Sequence, residues 1–155
     1  MSQLVLQGDA IAIFDRHENE TCLLHGCNSQ AKMFKGFADS LRKKWNGVYE
    51  ADVNYHLPIG CKRLGNYSYY RVNDKKTIVN CYIQEFYGSD GKKYVSYDAL
   101  DEVLSKLSKQ IRKDTTIIYP KMGSDLAGGN WNIINGFICE YFKEHERHIL
   151  VEYNK

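Results

Sequence analysis

The sequence predicts an α/β fold built on a central, mostly buried sheet. Three observations carry this. Short apolar runs of strand length alternate with longer segments of helical period. The strand-like runs are rich in continuous apolar residues, as strands covered on both faces require. Two glycine-bearing segments, "HGCNSQAKMFKGFA" and "KMGSDLAGGNW", each follow a strand and open a helix. That is where α/β sheets place their ligands.

The elements follow in order. "QLVLQ" (3–7), "AIAIF" (10–14) and "TCLLHG" (21–26) are short apolar runs and are expected as three strands. The period then changes. Phe34, Phe37, Ala38, Leu41 and Trp45 fall on one helical face, and Gly47 is expected to interrupt that helix. A short second helix is expected through "VYEADVNYH", before Pro58. "NYSYYRV" (66–72) and "TIVNCYIQEFY" (77–87) read as strands joined by a turn at "NDKK". Tyr97, Leu100, Leu104, Leu107 and Ile111 mark an amphipathic helix with Ser96 as its N-cap. "TTIIYPK" (115–121) is a buried strand, "WNIINGFICEYF" a helix and "HILVEY" (148–153) a closing strand.

The totals exclude several classes. A chain of 155 residues fits one domain, 1–155, and can bury a core. Its 21 basic and 19 acidic residues give a net charge of +2, too balanced for general binding to nucleic acid or a membrane surface. No apolar run approaches the ~20 residues that span a bilayer, and "MSQLVLQGDA" is not a signal peptide. The five cysteines form no CxxC pair and lie mostly in apolar stretches. They are expected as reduced, mostly buried thiols of a cytoplasmic protein, with no metal site and no cofactor.

Three short segments carry candidate chemistry. In "GSDLAGGNW" (123–131), Gly123, Gly128 and Gly129 allow positive φ, so backbone N–H groups of Gly123, Ser124, Asp125, Leu126, Ala127, Gly128 and Gly129 can line one concavity. The next helix presents its positive end to the same place, which suits a phosphate; a plain glycine-rich turn is the alternative. In "HGCNSQAKMFKGFADSL", Asn28 offers donors and an acceptor to sugar hydroxyls, and Lys35-Gly36 opens the helix where another anion could be met. The alternative is a turn cap and a solvated lysine. In "QGDAIAIF", Asp9-Ala10 follows a strand, and the carboxylate can accept from an exocyclic amino group or serve an ordinary turn. The chain lacks GxGxxG and GxxxxGK[ST], which counts against the common dinucleotide and P-loop sites.

Taken together, these segments resemble the macrodomain family of ADP-ribose-binding modules. "LQGDA", "LLHGCNSQAKMFKGFADSLRKKW", "TIVNCYIQEFYG…YVSYDALDEVLSKL" and "YPKMGSDLAGGNWNII" are similar to the family's motifs, in order, across nearly the whole chain. The resemblance implies a three-layer α/β/α sandwich with a mixed, mostly parallel sheet. It implies that Asp9 receives the adenine amino group, that Asn28 bonds the distal ribose, and that the backbone of Gly123 to Gly129 holds the diphosphate. The stretch from Gln30 to Gly36 would form the other wall around the distal ribose and its 1″ substituent.

The resemblance also frames the chemistry. The sequence looks most like the branch that removes the 1″-phosphate from ADP-ribose 1″-phosphate. A branch that cleaves ADP-ribose from carboxylates uses a lysine nucleophile and a loop aspartate; here those positions hold Gln84 and Ala127. For a phosphatase, Asn28, His25 and Asp125 are the catalytic candidates, with Lys35 neutralising phosphate charge. His25 reads equally as a satisfied core histidine, and His56 is less well placed. Asp125 presents a difficulty, because a carboxylate about 4 Å from a phosphate is repelled by ~4 kcal/mol at an effective dielectric near 20. It either caps the local turn or takes part in proton transfer. The competing functions are a non-catalytic ADP-ribose reader and a hydrolase that removes ADP-ribose from protein or nucleic acid. Nucleic acid is thus a partner only as a modified substrate, and oligomeric state is left open.

Overall fold

A computed structural model describes residues 3–87, 93–123 and 128–153. Six strands form one sheet in the order β1-β6-β5-β2-β4-β3. They are β1 (Leu4–Gln7), β2 (Thr21–Asn28), β3 (Tyr67–Asn73), β4 (Lys76–Gln84), β5 (Thr116–Tyr119) and β6 (Arg147–Glu152). Every neighbouring pair is parallel except the β3–β4 hairpin, so the sheet is mixed and mostly parallel, as the family resemblance implies.

Alternation along the strands divides the core between two faces. Leu24, Ile117 and Leu150 point to one side, where α4 (Tyr97–Gln110) and α5 (Trp131–Tyr141) pack through Val103, Leu107, Ile134 and Ile138. Leu23, Ile118 and Ile149 point to the other. There they meet Phe14 of α1 (Ala10–Arg16), Leu41 of α2 (Gly36–Lys44) and Val48 of α3 (Asn46–Val53). This is the expected α/β/α sandwich. Because the central strands serve both cores, they are mostly apolar on both faces rather than alternating with polar residues, with His25 and Asn80 as buried polar exceptions.

Local signals hold in several places. Ser96 caps α4 by accepting from the Ala99 N–H at 3.1 Å. The hairpin turns at Asp74-Lys75, inside the expected "NDKK".

Two expectations need correction. "AIAIF" is not a strand but the helix α1. Asp9 caps it, accepting from the Ile11 N–H at 2.9 Å, and the buried residues Ala10 and Phe14 are four apart, on one helical face. Gly8, at φ +146°, ends the preceding strand. The second correction is the helix break. It falls at Trp45, between α2 and α3, and Gly47 lies inside α3. Gly47 is there for space: a Cβ would sit 2.1 Å from Cε1 of Tyr70 on β3.

Among the described residues, no helix is long and apolar enough to cross a membrane.

Candidate functional site

Strands β1, β6, β5, β2 and β4 run parallel, so their carboxyl ends share one edge of the sheet. Two cavities of about 400 and 620 Å³ lie along that edge. Both are lined by Phe37 and Lys121, so the two adjoin at those side chains, and together they are termed the groove.

The larger cavity is built on β1 and β6. Asp9, Ala10, Glu152 and Tyr153 line it. One carboxylate oxygen of Asp9 is committed to the α1 cap. The structure therefore shows a structural duty for Asp9 and places it in the groove wall as well.

The smaller cavity is built on the ends of β2 and β4 and on the loop after β5. Asn28, Lys32, Lys35, Gly36, Gln84 and Gly123 are among its lining residues. Asn28 organises the loop that follows it. Its Oδ1 accepts from the Gln30 N–H at 3.0 Å and the Lys32 N–H at 3.4 Å, and its Nδ2 donates to the Lys32 carbonyl at 2.9 Å. The loop is fastened from beneath, where the Ser29 N–H donates to the Gln84 carbonyl and the Gly60 N–H to the Ser29 carbonyl. It turns through Ala31 at φ +57° and enters α2 through Gly36 at φ +62°. Lys35 sits at the N-cap of α2, exposed at the cavity. Gln84, at the position where a lysine nucleophile was considered, donates to the Phe86 carbonyl at 2.8 Å.

The glycine loop joins the groove at Gly123. Gly123 (φ +75°) and Gly128 (φ +73°) are both in the left-handed region, and the Gly129 N–H donates to the Gly123 carbonyl at 2.9 Å, pinching the loop shut at its base. Ser124, Asp125, Leu126 and Ala127 lie outside the described residues. Gly129 has no room for a side chain: a Cβ would stand 2.5 Å from the Gly123 carbonyl oxygen and 2.6 Å from Val95 Cγ1. Gly129→Ala is therefore expected to force the loop base open and to destabilise the fold by about 1–3 kcal/mol, the usual cost of overpacking. A shift of that size is read directly from urea unfolding midpoints.

His25 is corrected by the structure. It is 1% exposed, and its Nε2 is 2.5 Å from Asn80 Oδ1. Burial depresses its pKa to about 4, so the ring is neutral at pH 7. It is absent from the lining of the smaller cavity and lies behind Cys27 and Phe37, which do line it, so the geometry favours the core reading. Among the groove residues that sequence reasoning did not single out as site residues are Phe37, Lys121, Glu152 and Tyr153. Lys121 and Glu152 are far apart in sequence, and only the pairing of β5 with β6 brings them together, at 2.9 Å.

Cavities at the carboxyl ends of a mostly parallel sheet, with Gly123 lining one of them, lie where α/β sandwiches place ligands. Comparison with known proteins refines this. No protein-family profile matches the chain. An uncharacterized 17.5 kDa protein of Enterobacteria phage T4, from the tk-vs intergenic region, is 29% identical over 146 residues, covering 91% of this chain and 90% of its own. A protein of unknown function from Bacteroides thetaiotaomicron superposes with a TM-score of 0.82 at 26% identity, over 99% of both chains. A macrodomain protein from Streptomyces coelicolor gives 0.77 at 21% identity, again over 99% of both. Thermosipho africanus DarTG, solved in complex with ADP-ribose, gives 0.71 at 17% identity, over 99% of this chain and 42% of its own. The chain has the macrodomain fold.

Proposed function

We propose that the groove binds ADP-ribose and that the protein removes the phosphate from ADP-ribose 1″-phosphate. The observation that carries the binding reading is the placement of groups along the groove. The Asp9 carboxylate stands at one end and the Asn28 amide at the other, with the glycine loop meeting the groove at Gly123. Asp9 and Asn28 thus fall in separate, adjoining cavities, as adenine and distal ribose would, with Gly123 on the Asn28 side, and the ADP-ribose complex of a protein with the same fold supports the reading.

The phosphatase reading is favoured by a second observation. Lys32 and Lys35 both line the Asn28 end, where a 1″-phosphate would carry up to two negative charges. In this reading the two lysines neutralise the phosphate. Asn28 orients the distal ribose and keeps the 29–35 loop in shape. Gln84 is not a nucleophile; in this reading water attacks the phosphorus, the bond from phosphorus to the 1″ oxygen breaks, and that oxygen takes a proton to leave as the free 1″-hydroxyl of ADP-ribose. Asp125 is kept as the candidate for proton transfer, and His25 has no part in the step.

The test has two arms. Calorimetry with ADP-ribose should show binding to the wild type, weakened about tenfold by Asp9→Ala through loss of a charged hydrogen bond. Release of inorganic phosphate from ADP-ribose 1″-phosphate should be seen with the wild type and should fall by at least about tenfold in Asn28→Ala. Binding without phosphate release would leave a reader, or a hydrolase acting on macromolecule-linked ADP-ribose.

A further inference from the structure

We propose that Lys121 is the side chain that meets the diphosphate of the bound ligand, and that Glu152 holds Lys121 in the free protein and competes with the ligand for it. This rests on the ADP-ribose reading of the groove.

The argument starts from position. Lys121 lines both cavities, so it stands at the junction that a ligand spanning them must cross. The middle of ADP-ribose is its diphosphate, which is its most charged part. A lysine at that junction is the chemically matched group, a mobile cation opposite two phosphate oxyanions.

In the free protein, however, the Lys121 Nζ is 2.9 Å from Glu152 Oε2. Glu152 ends β6, adjacent to β5, and itself lines the larger cavity. Its carboxylate would repel a diphosphate unless neutralised. The ion pair therefore does two things at once. It masks the carboxylate, and it keeps the ammonium beside the groove.

The Lys121–Glu152 pair itself is inexpensive to exchange. The two side chains are 43% and 32% exposed, and ion pairs of such exposure are weak. Glu152 is not stranded afterwards, because its Oε1 accepts from Gln7 Nε2 at 3.3 Å. The pair thus makes affinity depend on ligand charge at the linker. A diphosphate displaces Glu152 from Lys121, whereas an uncharged nucleoside does not.

The experiment is calorimetric titration of ADP-ribose, and separately of adenosine, into wild type, Lys121→Met, Glu152→Gln and the double variant. Lys121→Met should weaken ADP-ribose binding about tenfold. Glu152→Gln should strengthen it roughly two- to fivefold, and this gain should vanish in the double variant. Adenosine binding should change far less than ADP-ribose binding in each variant, because adenosine carries no diphosphate. ADP-ribose affinity unchanged or weakened in Glu152→Gln would overturn the competition, and equal effects on adenosine would show that the substitutions act through the fold rather than through charge. A wild type that binds ADP-ribose with variants that behave alike refutes this inference only. A wild type that binds none refutes the ADP-ribose reading and, with it, this inference.

Discussion

Arg63→Met is expected to destabilise the protein by about 3–5 kcal/mol, the usual result of removing one partner of a buried ion pair. Arg63 and Asp52 are 2% and 1% exposed, with Nη1 at 3.2 Å from Oδ1. The guanidinium also donates to the carbonyls of Asp52 and Leu57. Asp52 Oδ1 accepts in addition from the Tyr82 hydroxyl at 2.6 Å, while Oδ2 has no partner among the described residues. Burial already holds the Asp52 carboxyl above its ordinary value, against the lowering effects of Tyr82 and Arg63. Without Arg63 it rises further. The sign follows: a carboxyl raised in the folded state loses stability as pH climbs through its folded pKa. The deficit of Arg63→Met relative to wild type should therefore be largest at pH 7 and shrink toward pH 4.5. Urea unfolding of both proteins at the two pH values measures it. Arg63→Met combined with Asp52→Asn should recover part of the loss, since the stranded charge is then gone. A deficit that is equal at both pH values would mean that packing, and not the Asp52 charge, sets the cost.

The consequence reaches the groove. Arg63 fixes the chain from Leu57 onward, and the Gly60 N–H in that stretch supports the Ser29 carbonyl beneath the Asn28 loop. From Asp52 the polar chain continues through Tyr82, Ser68 and Asn80 to His25, each step a hydrogen bond of 2.5 to 3.0 Å. The site wall and the core thus share one network.

None of that network is legible in the sequence, and the reason is physical. Its members come from α3, the segment before β3, and strands β2, β3 and β4, so no local spacing links them. His25 illustrates the limit. A histidine ending an apolar strand fits either a catalytic acid–base or a core residue, and the deciding partner, Asn80, is 55 positions away. The central strands were legible because burial on both faces makes them mostly apolar, and α4 because its Leu and Val residues keep a helical period over 14 residues behind a serine cap. The seven-residue α1 is too short to display a period, and its one decisive signal, the Asp9 cap, sits on a residue that was also weighed as a ligand contact. Asn28, Lys35 and Gly123, which loop chemistry next to strand ends singles out, line the smaller cavity. Lys121 and Glu152 are not singled out, because an ordinary lysine and glutamate become a pair only through strand order.

His25 also makes a prediction of its own. Its pKa falls from an ordinary 6.5 to about 4, with burial as the leading cause and the Asn80 bond opposing it. The unfolded chain therefore binds a proton at a pH where the folded chain does not, and stability falls as pH drops below about 6.5. At ~1.36 kcal/mol per pH unit, that depression is worth about 3 kcal/mol by pH 4. Burial lowers His17, His145 and His148 in the same direction, so they add to the loss. Urea unfolding from pH 7 to 4 should show a falling stability, and His25→Gln should flatten the curve by roughly the His25 share, whatever its stability at pH 7. NMR titration of the imidazole carries the sharper outcome: an inflection near 6.5 would place His25 in contact with solvent and remove both this prediction and the case for excluding it from catalysis. An inflection near 4 fixes it as a neutral strut between β2 and β4, holding the floor on which Asn28 and Gln84 present the groove.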